Sequence, residues 1–248
     1  MRICFLGTSE RVSYLQNHAK NGVHVDSMAD FVGTATRPLT VESRCEELAL
    51  AVWIIEQSIE AEKRGFDAIV TGCFSDPGVE AAREHVRIPV IGPGETALLT
   101  ARMISHHFSI LTPLPETIPL AREQIYRLGM HPFVASIRSL GASVAKIRNR
   151  DLETIDRLIA LGRDCVYREG AEALVCGCAS MSLLADEIAP KIGVPVVNSV
   201  LLSLRAAELL VGSGLTHSKK TFPVPIKSRA CTAPASKDDS VEQSAVIL

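Results

Sequence analysis

Two segments of this chain are built to one plan. RGFDAIVTGCFSDPG (residues 64–78) and EGAEALVCGCASMS (169–182) each pass from a helix end through a glycine and a short apolar run to a Gly-Cys pair. After each comes a helical pattern and a second apolar run, IPVIGPGETALL in one case and VPVVNSVLLSL in the other. Cys73 and Cys178 stand 105 residues apart, and ICFLGTS near the start and SILTPLP near residue 110 have nearly the same separation. A chain that repeats a strand–helix plan at this period is most simply two similar lobes made by duplication.

The rest of the chain fits. RICFLG, VHVDSM, DAIV, PVIG, FSILT, PFVASI, ALVCG and PVVNS are apolar runs of strand length. Helical patterns are expected over 41–64, 77–86, 95–105, 116–128, 151–169, 181–190 and 200–212. In the first, ELALAVWIIEQSIEAEKRG spaces its apolar residues by threes and fours and closes on a glycine. Strands alternating with helices predict parallel sheets covered by helices. The expected fold class is therefore α/β, with each lobe a short parallel sheet flanked by helices and the lobes related by a pseudo-twofold axis. Residues 1–97 with about 208–222 are assigned to the first lobe and 98–207 to the second. The polar stretch TAPASKDDSVEQS places a flexible tail over 223–248.

Composition removes several function classes. The formal net charge is -2 with both signs intermixed, so the basic footprint of a nucleic-acid binder is missing. LALAVWII falls far short of the roughly 18 apolar residues of a membrane span. MRICFLGTS is too short for a signal-peptide core and enters a strand pattern at once. A soluble cytoplasmic protein is expected, acting on a small molecule, with neither nucleic acid nor a membrane as partner. The sequence does not set the oligomeric state; a homo-oligomer is carried as the expectation.

There are seven cysteines, an odd number, mostly inside apolar stretches, which in a cytoplasmic chain means free thiols. CGC at 176–178 is not the CxxC of a zinc site and has no HxxxH beside it, so no metal is expected. Either Gly-Cys pair alone reads as a buried core cysteine and a turn. Two at equivalent repeat positions read otherwise, although a duplicated structural cysteine remains the bland alternative. In open parallel sheets, ligands bind beyond the carboxyl ends of the strands, where both cysteines stand. Lobes facing each other across a pseudo-twofold axis bring the two thiols to one cleft. A thiol at a strand end is expected at the N-terminus of the next helix, where backbone N–H groups lower its pKa. Asp76 and Ser180 or Ser182 are natural caps for those helices. Two opposed acid/base groups suit removal of a proton from one face of a carbon and its return to the other. With a carbonyl beside that carbon and N–H donors after Cys73, Cys178 and Gly7 for the oxyanion, no cofactor is needed.

CFSDPGVEAARE, VIGPGETALL, EALVCGCASMS and GLTHSKK together resemble the aspartate/glutamate/hydantoin racemase superfamily, with the closest similarity to its hydantoin and allantoin racemase branch, over residues 1 to about 222. The resemblance implies cofactor-independent racemisation of a small carbon acid, a 5-substituted hydantoin or allantoin, with Cys73 and Cys178 as the catalytic thiols. It implies Thr40 and Thr112 as small polar residues near the substrate; Gly7, Thr8, Phe74 and Ala179 complete the expected pocket. The chain departs from the branch after the first strand, where Gly7-Thr8-Ser9 replaces an Asn-Pro-Asn-Thr type segment in a loop that touches substrate. Arg37, in TATRPL, has two readings: a contact to an anionic or ureido group, or a solvated loop charge.

Other readings stay open: an amino-acid racemase or cysteine-dependent isomerase of the same superfamily, or a non-catalytic small-molecule binder on this scaffold. GPGE (92–95) lacks the third glycine of a dinucleotide fingerprint and the lysine of a P-loop, so it reads as a tight turn into a helix. His106-His107 lacks a third metal ligand, and nothing orients His85 or His131 toward either thiol as a cysteine hydrolase requires. Cys176 reads as core packing.

Overall fold

The computed structural model of the chain describes residues 1–27 and 40–226. Two four-stranded sheets, parallel throughout, organise it. The first contains β1 (Arg2–Leu6), β2 (His24–Ser27), β3 (Ala68–Thr71) and β4 (Val90–Ile91), in the order β2-β1-β3-β4. The second contains β5 (Phe108–Thr112), β6 (Val134–Ser139), β7 (Ala173–Cys176) and β8 (Val196–Val197), in the order β6-β5-β7-β8. Counted from its own first strand, each sheet has the same order. Register sets Leu6 beside Thr71 and Leu111 beside Cys176, so the sequence repeat is a repeat in space.

The helices are α1 (Ser9–His18), α2 (Arg44–Lys63), α3 (Val79–His85), α4 (Pro93–Ile104), α5 (Ile118–Arg127), α6 (Val144–Asn149), α7 (Leu152–Glu169), α8 (Ala179–Ser182), α9 (Ala185–Ile192) and α10 (Ser199–Gly212). Their ends follow local chemistry. Ser43, Asp151 and Asn198 each accept a backbone N–H in the first turn of α2, α7 and α10, and Gly170 ends α7 in the left-handed region. Helices α1 and α6 lie outside the helical patterns read from the sequence.

Successive side chains of a strand point to opposite faces, and here both faces are covered. Ile3, Phe5, Ala68 and Val70 fill one face of the first sheet, and Cys4, Leu6 and Ile69 the other, under Leu50, Trp53 and Ile54 of α2. This is why the strands read as continuous apolar runs. Phe5 and Phe108, at the sheet centres, are wholly buried. Truncating either to alanine should cost about 3–5 kcal/mol.

The two lobes exchange a helix. Helix α4 follows the last strand of the first sheet, yet packs Ala97, Leu98 and Ala101 against Phe108, Ile110, Ala173 and Val175 of the second. Helix α10 follows the last strand of the second sheet and packs Val200, Leu204 and Ala207 against Ile3, Phe5, Ala68 and Val70 of the first. The expected division kept residues through 207 in the second lobe; α10 lies on the first sheet from Val200 onward. Of the expected tail, 227–248 falls outside the described residues, as does Arg37. Among the described residues, no helix is long and apolar enough to cross a membrane.

Candidate active site between the two sheets

Each Gly-Cys pair follows the end of a central strand. A Cβ on Gly72 would lie 3.0 Å from the Leu6 carbonyl oxygen, and one on Gly177 would lie 2.8 Å from that of Leu111. The glycines let the chain leave β3 and β7 pressed against the neighbouring strand, and the Gly177 N–H donates to Leu111 O at 2.8 Å. Both cysteines then emerge on the wall of one cavity, with about 800 Å³ of empty space partly open to solvent.

All eight residues expected at the site line this cavity. Cys73, Phe74, Gly7, Thr8 and Thr40 come from the first lobe, and Cys178, Ala179 and Thr112 from the second. Others were not anticipated. Arg11, on the unexpected helix α1, lines the cavity and donates to Ser180 Oγ at 2.9 Å. Ser75 and Thr117 add hydroxyls, while Val41, Leu50, Leu120 and Val144 make the wall apolar. Ser75 could have been found from its place two residues after Cys73; Arg11 could not without α1. Neither His85 nor His131 lines the cavity. Among the described residues there is no cluster of three or more His, Cys, Asp or Glu side chains placed to hold a metal.

The helix N-termini differ from expectation. Helix α3 starts at Val79, with Gly78 rather than Asp76 as its cap, so Cys73 stands in a turn well before it. Cys178 itself caps α8, which is a single turn of four residues. Ser180 and Ser182 lie inside α8 rather than ahead of it, and Ser182 Oγ bonds to Ser199 Oγ at 2.7 Å. The expected lowering of the Cys73 pKa is overturned. Burial pushes this thiol up to about 11, against hydrogen bonds from the Ser75 hydroxyl and N–H, with negative charge at Asp76 and Cys178 adding to the rise. Cys73 Sγ lies 3.5 Å from Ser75 Oγ. Cys176 sits wholly buried in the second-lobe core, its thiol pushed up by burial to about 12.

Asp76 serves a different helix. Its carboxylate accepts the Gly94 N–H at 2.9 Å and the Glu95 N–H at 2.6 Å, in the first turn of α4, and the Gln124 side-chain amide of α5 at 2.7 Å. The GPGE turn thus receives an anion from its own chain. Burial raises the Asp76 carboxyl to about 7, with the N–H groups of Gly94 and Glu95 pulling it down.

Two parallel sheets of one strand order, with a thiol from each lobe on a shared cavity, make the two-lobed fold of the racemases. The chain belongs to the Asp/Glu/hydantoin racemase family, whose model matches residues 18–207. It is 32% identical to the hydantoin racemase of Pseudomonas sp. (strain NS671), over 86% of this chain and 86% of that protein. It is 33% identical to the hydantoin racemase of Rhizobium meliloti, over 87% and 88% of the two chains. Its fold superposes on the allantoin racemase from Klebsiella pneumoniae with a TM-score of 0.83 at 28% identity, covering 91% of this chain and 94% of that one.

Proposed function

We propose that this chain racemises a 5-substituted hydantoin or allantoin without a cofactor, with Cys73 and Cys178 as the acid and base. The observation that carries this reading is the placing of two thiols, from equivalent positions in two lobes, on one cavity. The hydantoin and allantoin racemases that it resembles support the substrate class. The carbon to be inverted lies next to a ring carbonyl, so its proton is acidic enough for a thiolate to remove. One cysteine, as thiolate, takes the proton from its face; the other, as thiol, returns one to the opposite face, and the roles exchange with the enantiomer. Burial favours the thiol form of Cys73, the form that returns a proton. The apolar side chains Val41, Leu50, Leu120 and Val144 on the wall lower the local polarity and so strengthen each polar contact to the developing enolate.

The test is a single enantiomer of a hydantoin or of allantoin in heavy water. Loss of optical rotation should accompany deuterium at the inverted carbon, survive EDTA and dialysis, and outrun any turnover of free aspartate. Zinc-restored activity after chelation, or faster turnover of aspartate, would overturn the reading. Binding without exchange would identify a non-catalytic binder.

A further inference from the structure

We propose that Asp76 is the positioning residue of the Cys73 thiol: its carboxylate locks the turn after Cys73 onto the second lobe, and this lock holds the thiol on the cavity wall. The proposal rests on the reading of Cys73 as an acid/base group.

Asp76 does not line the cavity that holds the thiols. It is 5% exposed and lines a neighbouring cavity behind the turn, with Gln124 and Arg127. Its backbone N–H donates to the Cys73 carbonyl at 3.1 Å, closing a four-residue turn whose first member is the thiol. Both ends of this turn are therefore fixed. At the start, Gly72 is pressed against β1; at the end, the Asp76 side chain spans to α4 and α5, which both pack on the second sheet.

The surroundings are shaped to receive that side chain. A Cβ on Gly92 would meet the Asp76 carboxyl carbon at 2.4 Å. A Cβ on Gly94 would meet Phe74 O at 1.9 Å and Gln124 Nε2 at 2.2 Å. Asp76 also holds φ at 53°, the left-handed region that costs a non-glycine residue conformational energy. The three donors to its carboxylate make that conformation worth holding. The second lobe has no such carboxylate: the position equivalent to Asp76 is Met181, wholly buried in an apolar core. Cys178 is thus an internal control for Cys73.

The carboxylate also bears on the thiol electrically, since negative charge at Asp76 disfavours thiolate at Cys73. The other charged groups around the turn are Glu95 of α4 and Arg127 of α5, which act on Asp76, and Arg44, Glu47 and Glu123, which line the cavity behind it. Cys178 is the further titratable group acting on Cys73.

The experiment compares Asp76→Asn and Gln124→Leu with the unaltered protein. The rates of iodoacetamide alkylation at Cys73 and Cys178 are followed separately by peptide mass spectrometry across pH, with racemisation alongside. Displacing a reacting group by about 1 Å costs up to about a hundredfold in rate. Both variants should therefore lose about tenfold or more in kcat with KM little changed, while Cys178 alkylates as before. Asp76→Asn, which removes the charge, should also move the Cys73 alkylation profile to lower pH; Gln124→Leu, which keeps the charge, should not. Equal rate changes at the two thiols, or a Cys73 rate unchanged in both variants, would overturn the proposal. Alkylation needs no substrate, so this contrast decides even where no hydantoin is turned over, an outcome that would sink the racemase reading alone. If Asp76→Asn does not fold, Gln124→Leu, which keeps both α4 bonds, decides by rate: Cys73 should alkylate at a changed rate at every pH while Cys178 alkylates as before, and an unchanged Cys73 rate would overturn the proposal.

Discussion

Arg11 donates to Ser180 at 2.9 Å, joining α1 of the first lobe to the turn that carries Cys178. The equivalent residue of the first lobe, Ser75, instead has its hydroxyl 3.5 Å from the Cys73 sulfur. The repeat is faithful in backbone and uneven in chemistry. One serine attends its own thiol; the other is held by a buried guanidinium from the other lobe. A duplicated scaffold that treats its two cysteines differently gives the two thiols different surroundings.

That difference should be visible in single replacements. Serine is nearly isosteric with cysteine but a far weaker acid, so it cannot supply a comparable base near neutral pH. Cys73→Ser and Cys178→Ser should each lower racemisation by about 100- to 10,000-fold. Each variant should still exchange deuterium into one enantiomer without inverting it, and the two variants should choose opposite enantiomers. Exchange of the same enantiomer by both would mean that the thiols do not oppose each other.

The alkylation profile of Cys73 is itself a prediction. Its thiol is pushed up to about 11 by burial, so the reactive thiolate is scarce at pH 8. The rate at Cys73 in the empty protein should keep rising with pH beyond 9, toward a midpoint near 11. A plateau reached by pH 8 would contradict this.

Gly94→Ala should displace the turn after Cys73, because its new methyl group would overlap Phe74 O and the Gln124 amide. The expected loss of stability is about 1–3 kcal/mol, read from urea midpoints. Gly212, at the end of α10, has nothing within 4 Å of an added Cβ, so Gly212→Ala should be neutral or slightly stabilising. Equal effects at the two sites would show that close approach at Gly94 is not the cause.

His217 gives a pH test of stability. Its Nε2 accepts the Val90 N–H at 2.9 Å, and burial, aided by Arg83, lowers its pKa to about 4. The unfolded chain takes up that proton near pH 6.5. The folded state resists it, so the stabilising contribution is complete above about 6.5 and is lost as pH falls toward 4. Urea midpoints should fall more steeply over this window for the unaltered protein than for His217→Gln. Parallel profiles would place the titration elsewhere.

Much of this architecture was legible in the sequence, for identifiable reasons. Strands buried on both faces leave unbroken apolar runs, and close approach at Gly72 and Gly177 leaves the glycines before Cys73 and Cys178 that reveal the duplication. The long helix α7 is amphipathic and capped, and the long helix α2 carries a cap and a buried stripe spaced by threes and fours through Leu50, Trp53, Ile54 and Ala61. Helix α1 leaves no apolar period because, of the side chains described over residues 11–18, only Arg11 and Leu15 are buried, and α6 because six residues are too few to show one. Arg11 was hidden with α1. Asp76 looked like a local cap because sequence shows only neighbours; its donors lie 18, 19 and 48 residues away. The rise of the Cys73 pKa was not legible because it comes from burial in the folded chain, whereas helix proximity can be guessed from order along the sequence.

The traded helices α4 and α10 bear on how this molecule comes apart. Cutting the chain between residues 104 and 108 would leave each fragment holding a helix whose apolar side was shaped for the other fragment's sheet. Neither half keeps a complete cover, so melting one should strip the other. The two halves should therefore denature in a single transition, and separately expressed halves should regain order only when mixed.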